Sequence, residues 1–138
     1  MHEYSVGLTI SGDDLDEAAI SAILGLRASV FFKKGEPLSP LTKREHSTST
    51  WSFHFDPPDG KPVWPSLEDG LMCMLEKLLP LNDAMFELKR RYSIAAYCGH
   101  FGSGFGGGPS ITSETLGLLA QLGLTLTIKT YWGSTEPE

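Results

Sequence analysis

The chain has 138 residues and a formal net charge of −6 at pH 7, and this length suits one domain with its own hydrophobic core. The acidic balance argues against nucleic acids and membranes as partners, because both normally require clustered basic side chains. Since no apolar run approaches the roughly 20 residues that cross a bilayer, and Cys73 and Cys98 form no paired motif, we expect a cytoplasmic protein with reduced thiols.

The first predicted elements are a strand and a helix. Apolar residues occupy every second position from Tyr4 to Ile10, which is the period of a half-buried strand. Asp14, followed three residues later by Glu17, is the predicted N-cap of the helix, and Gly25 is its predicted end.

A polar loop over residues 35–49 separates the next two predicted strands. The apolar run "SVFFKK" before the loop predicts the second strand, and the alternation from Trp51 to Phe55 predicts the third. A proline-rich connection over residues 56–66 follows.

Ser66 begins the next predicted helix as its N-cap, with Asp69 three residues later. The apolar stripe of this helix runs from Leu67 to Leu78, and Pro80 is expected to stop or bend it.

The last third of the sequence predicts two more strands and two more helical segments. A helical segment over 82–90 leads into a strand over 92–98, which enters the glycine-rich loop 99–108. After the loop, Ser113 is the predicted N-cap of a short helix, and the last strand covers residues 126–132.

Together these elements predict an α+β fold. We expect one domain over residues 1–132, with an antiparallel or mixed sheet of about five strands and two or three helices packed on one face. Residues 133–138 are expected to fray. The tripeptide "LGL" occurs at 24–26 and again at 122–124, which leaves an internal duplication and a coincidence equally open.

The glycine-rich loop resembles a nucleotide-binding fingerprint only in its spacing. Gly102, Gly104 and Gly107 fit G-x-G-x-x-G, but the next predicted helix begins only at Ser113. In a dinucleotide site the glycines lead directly into a helix whose amides hold the pyrophosphate. We therefore expect no cofactor, and we assign these glycines to conformational freedom of the loop.

Neither a metal site nor a catalytic residue can be assigned from the sequence. The four histidines lack the spacing of metal ligands. Cys98 and His100 would form a nucleophile and base only if both side chains pointed to the same face, and the glycine between them leaves that geometry open.

The candidate partner-binding residues are an acidic run near the first helix and two phenylalanines of the glycine-rich loop: Asp13, Asp14, Asp16, Glu17, Phe101 and Phe105. An acidic run is also typical of a first helical turn, where the helix dipole stabilises carboxylates. Its functional alternative is an anionic surface that docks a basic protein.

Several stretches resemble the uncharacterised bacterial family called domain of unknown function 4279. They are the opening strand and helix that end in "LGL", then "KKGEP", "REHSTSTWSF" and "SETLGLLAQLGLTLTIKTYW". The resemblance spans nearly the whole chain and implies no reaction, and therefore no catalytic residues. In size and charge the chain is also similar to immunity proteins of bacterial toxins, which is an analogy.

We therefore expect a non-enzymatic protein-binding module, such as an immunity-type protein that neutralises a basic toxin. Homodimerisation through the terminal strand near Tyr131 and Trp132 is a further possibility. The alternative is a small enzyme or ligand-binding domain whose pocket includes Arg44, Trp51 and His100. Its walls would be the Trp51 strand, the 35–49 loop and the 99–108 loop.

Overall fold

The computed structural model, which describes residues 2–103 and 106–132, contains one five-stranded sheet. The strands are β1 (His2–Gly12), β2 (Val30–Phe32), β3 (Ser49–His54), β4 (Ser93–Gly102) and β5 (Thr125–Trp132). Their order across the sheet is β2-β3-β1-β4-β5. The β4–β5 pair is parallel and the other three pairs are antiparallel. The predicted α+β class with a mixed sheet of five strands is confirmed. The predicted tail 133–138 lies outside the described residues.

The described part of the chain contains four α-helices: α1 (Glu17–Leu24), α2 (Leu67–Leu78), α3 (Asn82–Arg91) and α4 (Ser113–Gln121). A 3-10 turn over Leu79–Leu81 joins α2 to α3, so Pro80 bends the chain without ending helical structure. The four helices therefore form three helical bodies. Among the described residues, no helix is long and apolar enough to cross a membrane.

All the helices cover the same face of the sheet. Alternation from Tyr4 to Ile10 places the apolar side chains of β1 on this inner face, as predicted. Each helix contributes buried residues to one hydrophobic cluster with that face, among them Ile20, Leu71, Met85 and Leu119. The outer face of the sheet carries no helix among the described residues.

Helix α1 begins two residues later than predicted. Asp16, and not Asp14, is the N-cap, and its carboxylate accepts hydrogen bonds from the amides of Ala18 (3.0 Å) and Ala19 (3.3 Å). Asp14 instead lies in the turn after β1, where its carboxylate is 3.9 Å from the guanidinium of Arg91. The sequence offers several acidic caps in a row, and the extension of β1 to residue 12 decides between them.

Helix α4 is capped by Thr112 and not by the predicted Ser113. The hydroxyl of Thr112 accepts a hydrogen bond from the amide of Thr115 at 3.2 Å. The Ser66 cap of α2 is confirmed, because its hydroxyl accepts from the amide of Asp69 at 3.3 Å. Serine and threonine are both favoured N-caps, so the sequence alone does not decide between two adjacent ones.

Strand β4 runs four residues further than predicted, so residues 99–102 belong to the sheet and not to a glycine-rich loop. Gly99 and Gly102 permit close approach of β1 side chains. A Cβ at Gly99 would lie 2.6 Å from the Ser5 hydroxyl oxygen, and one at Gly102 would collide with the ring of His2. Positive φ, the expected use of the glycines, occurs among the described residues of this stretch at Gly106, Gly107 and Gly108.

The two "LGL" tripeptides serve the same local purpose in different topologies. Gly25 and Gly123 both follow a helix, with φ of 68° and 69°. However, β5 pairs with β4, the strand that precedes its helix, whereas β2 pairs with β3 and not with β1. The repeated tripeptide is thus a repeated helix terminator.

A carboxylate ties α2 to the start of α4. Glu68 accepts hydrogen bonds from the amide of Thr112 (3.0 Å), the hydroxyl of Thr112 (2.9 Å) and the hydroxyl of the buried Thr115 (2.6 Å). These bonds, that of Thr115 first, lower the pKa of Glu68 from its ordinary value of 4.5. The ionised carboxylate therefore stabilises the packing of the two helices.

We predict that Thr115→Val lowers the free energy of unfolding at pH 7 by about 1 to 2 kcal/mol, because a charged hydrogen bond is lost. The lowered pKa of Glu68 makes this contribution fully present above pH 4.5. It fades as the pH falls through the lower folded value. Urea unfolding at pH 7 and below pH 4 measures the change. Thr125→Val, at an exposed hydroxyl without a partner among the described residues, is the control. An equal loss at both pH values would contradict the role of the charge.

Candidate functional site

The outer face of the sheet holds a groove of about 520 Å³, a size typical of small-molecule sites. It runs over β1, β2 and β3 and reaches Tyr97 on β4. The groove is lined, among others, by polar and aromatic residues and one glycine: Ser5, Gly7, Thr9, Ser52, His54 and Tyr97. Asp56 lies at the same groove, and none of the described residues that line it is a lysine or arginine.

Gly7 carries no side chain at the centre of the groove floor, and Cδ2 of His54 lies 3.4 Å from the place that a Cβ would take. In the sheet register Gly7 lies opposite His54 on β3 and opposite Tyr97 on β4. Residues in register share a face, so the imidazole and the phenol stand on either side of a residue without a side chain. The Cα atoms of His54 and Tyr97 are two strand spacings apart, which is about 10 Å. The result is a slot with two aromatic walls.

Hydroxyl groups lie at both ends of this slot. Ser5 and Thr9 flank Gly7 on β1 and point to the same outer face. The hydroxyl oxygen of Ser5 accepts a hydrogen bond from the amide of Gly99 (3.1 Å), which leaves its O–H free to donate. The hydroxyls of Thr9 and Ser52 are 3.4 Å apart. The groove can therefore offer hydrogen bonds at two separate points.

A second polar cluster lies on the inner face, where β1 begins and β4 ends. Nδ1 of His2 is 2.8 Å from Nε2 of His100, and Nε2 of His2 is 2.8 Å from the carbonyl oxygen of Gly106. A carbonyl only accepts, so His2 Nε2–H donates to Gly106, and His100 Nε2–H donates to His2 in the neutral pair. Nδ1 of His100 can accept from the hydroxyl of Thr130, 3.4 Å away.

The surroundings of His100 favour its neutral form. The side chain is 5% exposed, and its ring stacks on that of Tyr4 with 4.9 Å between centroids. Burial lowers the pKa of His100 from 6.5, and the nearby His2 lowers it further. His100 is therefore neutral at neutral pH, and its hydrogen bond to His2 links the end of β4 to the start of β1.

Cys98 and His100 share the inner face, because they are two positions apart on β4. Burial raises the pKa of the Cys98 thiol to about 12, so the thiol stays protonated at neutral pH. A nucleophilic cysteine needs a lowered pKa and access to substrate. Cys98 therefore has the character of a core residue.

The predicted pocket of Arg44, Trp51 and His100 is not assembled. Trp51 is fully buried on the inner face, where its ring N–H donates to the Ser21 hydroxyl at 3.1 Å. Trp51 pairs with Ile10 of β1, whereas His100 pairs with Tyr4. These two positions of β1 are about 20 Å apart along the strand. Arg44 lies exposed in the 35–49 loop.

The predicted partner-binding residues do not form one surface. The acidic run follows the end of β1, whereas Phe101 pairs with Glu3 near its start, about 30 Å away along the strand. Phe101 is 38% exposed on the outer face, and Phe105 lies outside the described residues.

Within the acidic run, three side chains have local partners. Asp13 is 3.3 Å from the ammonium of Lys34, Asp14 approaches an arginine, and Asp16 caps α1. Both ion pairs are exposed, where such pairs contribute little to stability. Glu17 is exposed in the first turn of α1.

The one helix that follows the glycine-rich stretch already has an anion at its N-terminus. Residues 103–112 separate β4 from α4, and the carboxylate of Glu68 occupies the position by the first amides of α4. A phosphate there would meet like charge. The sequence motif showed the glycines but could not show Glu68, which is 44 positions before Thr112.

The sequence alone did not identify the residues that line the outer groove. The one available signal was Gly7, a glycine within an otherwise regular strand pattern, which often marks a close approach or a space for another group.

A family model described as "Domain of unknown function (DUF4279)" matches residues 2–133. Neither a curated protein nor a solved structure matches the chain.

We predict that ATP, NAD and FAD leave the melting temperature unchanged, because Glu68 already occupies the N-terminus of α4. A nucleotide at a hundred times its dissociation constant would stabilise the folded state by about 2.7 kcal/mol. That would shift the melting temperature by several degrees. Differential scanning fluorimetry measures it, and a reproducible shift with any of the three would contradict the prediction.

We predict that stability falls as the pH drops below 6.5, because the unfolded chain takes up a proton that His100 in the folded state resists. One proton gives a slope of at most about 1.4 kcal/mol per pH unit. His100→Phe should flatten this dependence in urea unfolding between pH 8 and pH 5. The exposed His54, changed to Phe, is the control. If the two variants changed the pH dependence alike, the assignment to His100 would be wrong.

Proposed function

The chain belongs to the DUF4279 family, and we propose that it is a non-enzymatic protein-binding module of the immunity type, which neutralises a basic toxin in the bacterial cytoplasm. The observation that carries this proposal is the free edge of β5.

Strand β5 offers a backbone edge of eight residues. Among the described residues it pairs with β4 alone and ends the sheet. Its unpaired amides and carbonyls can accept a strand from a partner, a common mode of protein recognition. Proteins usually protect such an edge with charges, prolines or a bulge. Lys129 is the one charged residue of β5.

Large aromatic side chains mark the end of this edge. Tyr131 is 44% exposed and Trp132 is 62% exposed. The ring of Phe101 stacks on Tyr131 with 5.2 Å between centroids, and the ammonium of Lys129 is 5.6 Å from the centroid of the Tyr131 ring. Tyrosine and tryptophan dominate the energetics of protein interfaces. Tyr131 and Phe101 lie on the outer face, whereas Trp132 lies on the inner face, with its ring centroid 5.8 Å from that of His100. The aromatic residues therefore support a contact surface along the edge of β5 that includes both sides of the strand.

The charge of the chain supports a basic partner. A net charge of −6 attracts a cationic protein over distance and accelerates its association. The acidic run lies about 30 Å from Phe101 along β1, so we assign it to steering rather than to the contact itself.

The thiols are in keeping with the proposed place of action. Cys73 and Cys98 are both free, and Cys98 is buried. Free buried cysteines are usual in reducing compartments.

We predict that the product of the gene immediately upstream co-elutes with this protein. Tyr131→Ala and Trp132→Ala should each weaken the complex by about tenfold or more, because large aromatic anchors are lost. Calorimetry with the purified pair measures the affinity. Phe86→Ala, at an aromatic residue of α3 with 44% exposure, is the matched control.

A combined Asp13→Asn, Asp14→Asn and Glu17→Gln variant separates steering from contact. It should slow association at low salt and leave dissociation unchanged. Separate elution of the two proteins, or an equal loss in the Phe86 variant, would contradict the proposal. A dimer mass from light scattering that reverts to a monomer in Trp132→Ala would assign the edge to self-association instead.

A further inference from the structure

The slot of the outer groove has the dimensions for a flat ring. Its walls, His54 and Tyr97, stand on strands whose Cα atoms are about 10 Å apart across Gly7. The imidazole reaches over the floor of this slot, because Cδ2 of His54 lies 3.4 Å from the place that a Cβ of Gly7 would take. A flat ring that stands over Gly7 therefore contacts His54 on one side and has Tyr97 on the other.

The hydroxyls of Ser5 and Thr9 indicate how long a ligand in the slot can be and which polar groups it needs. Ser5 and Thr9 are four positions apart on β1, which is about 13 Å. Two hydrogen bonds of about 2.8 Å leave room for about 8 Å between their ends. That length suits two fused rings better than one. The free O–H of Ser5 and one hydrogen of the Thr9–Ser52 pair require acceptors, such as ring nitrogens or carbonyls, on the ligand.

The charges at the groove exclude an anionic ligand. No lysine or arginine is among the described residues that line it, and the carboxylate of Asp56 lies at one end. The chain as a whole carries −6. A phosphate on the ligand would therefore be repelled without a compensating cation.

We propose that this groove binds a fused two-ring nitrogen heterocycle without phosphate, such as a purine base or nucleoside. The ring stacks between His54 and Tyr97 over Gly7, and its edges accept hydrogen bonds from Ser5 and Thr9. This site and the protein contact proposed for β5 use different residues, because Tyr97 precedes Phe101 by four positions on β4, about 13 Å along the strand. The nucleoside test therefore does not depend on the protein contact.

The test uses adenosine, guanosine and their 5′-monophosphates with the intact protein. At least one nucleoside should give saturable NMR shifts at the amides of Gly7, Thr9 and Ser52 in the wild-type protein. Its monophosphate should bind at least about tenfold more weakly, because the anion meets only negative charge. Tyr97→Ala should weaken nucleoside binding by about tenfold or more through loss of a stacking wall.

The control is Phe86→Ala on α3, where an aromatic ring of similar exposure is removed (44%, against 42% for Tyr97). It should bind the nucleoside as the wild type does. If neither nucleoside gives saturable shifts, or if the shifts lie away from Gly7, Thr9 and Ser52, the proposal is wrong. Equal affinity for nucleoside and monophosphate would overturn the assigned selectivity. Because the shifts are mapped on the wild type, a failure of Tyr97→Ala to fold leaves the result decisive.

Discussion

The antiparallel pairing of β1 with β4 determines both faces of this molecule. Ten residue pairs in one register join the two strands, from His2 opposite Gly102 to Ser11 opposite Ser93. Because side chains alternate, this register puts the apolar side chains of β1 under the helices and Gly7 beside Tyr97 on the outer face. A slip of one residue would turn the apolar set to solvent. The core and the groove therefore depend on the same set of hydrogen bonds.

The sequence predicted the strands well because alternation is a local property. The alternation from Tyr4 to Ile10 was sufficient to predict β1. In the same way, the apolar stripe that begins at Leu67 was sufficient to predict helix α2. The groove could not be predicted in the same way, because His54 and Tyr97 face Gly7 only through cross-strand register. No local pattern encodes that register. The same reason explains why the predicted pocket is not assembled. Trp51 on β3 and His100 on β4 pair with opposite ends of β1.

The glycine-rich stretch illustrates how a motif can be present without its chemistry. Two of its glycines, Gly99 and Gly102, make space for side chains of β1, and later ones adopt positive φ. The amide of Thr112, at the start of the next helix, is bound by Glu68 from α2. A carboxylate of the protein thus stands where the motif suggested a phosphate. The spacing of the glycines indicates where the backbone needs space or conformational freedom. It does not show which group binds the N-terminus of the helix, because Glu68 is distant in sequence.

The central position of β1 also bears on how the chain is made. During synthesis β1 leaves the ribosome before β3 and β4, and its pairing with β4 joins residues 82 to 100 positions apart. Such distant contacts slow folding, because a long loop must close before they form. Until β3 is made β1 has two unpaired edges, and until β4 is made it still has one, together with an apolar face. Exposed edges and apolar surface are the condition in which nascent chains aggregate or recruit chaperones. The strand at the centre of the finished sheet is thus the one whose apolar face and edges stay exposed longest during synthesis.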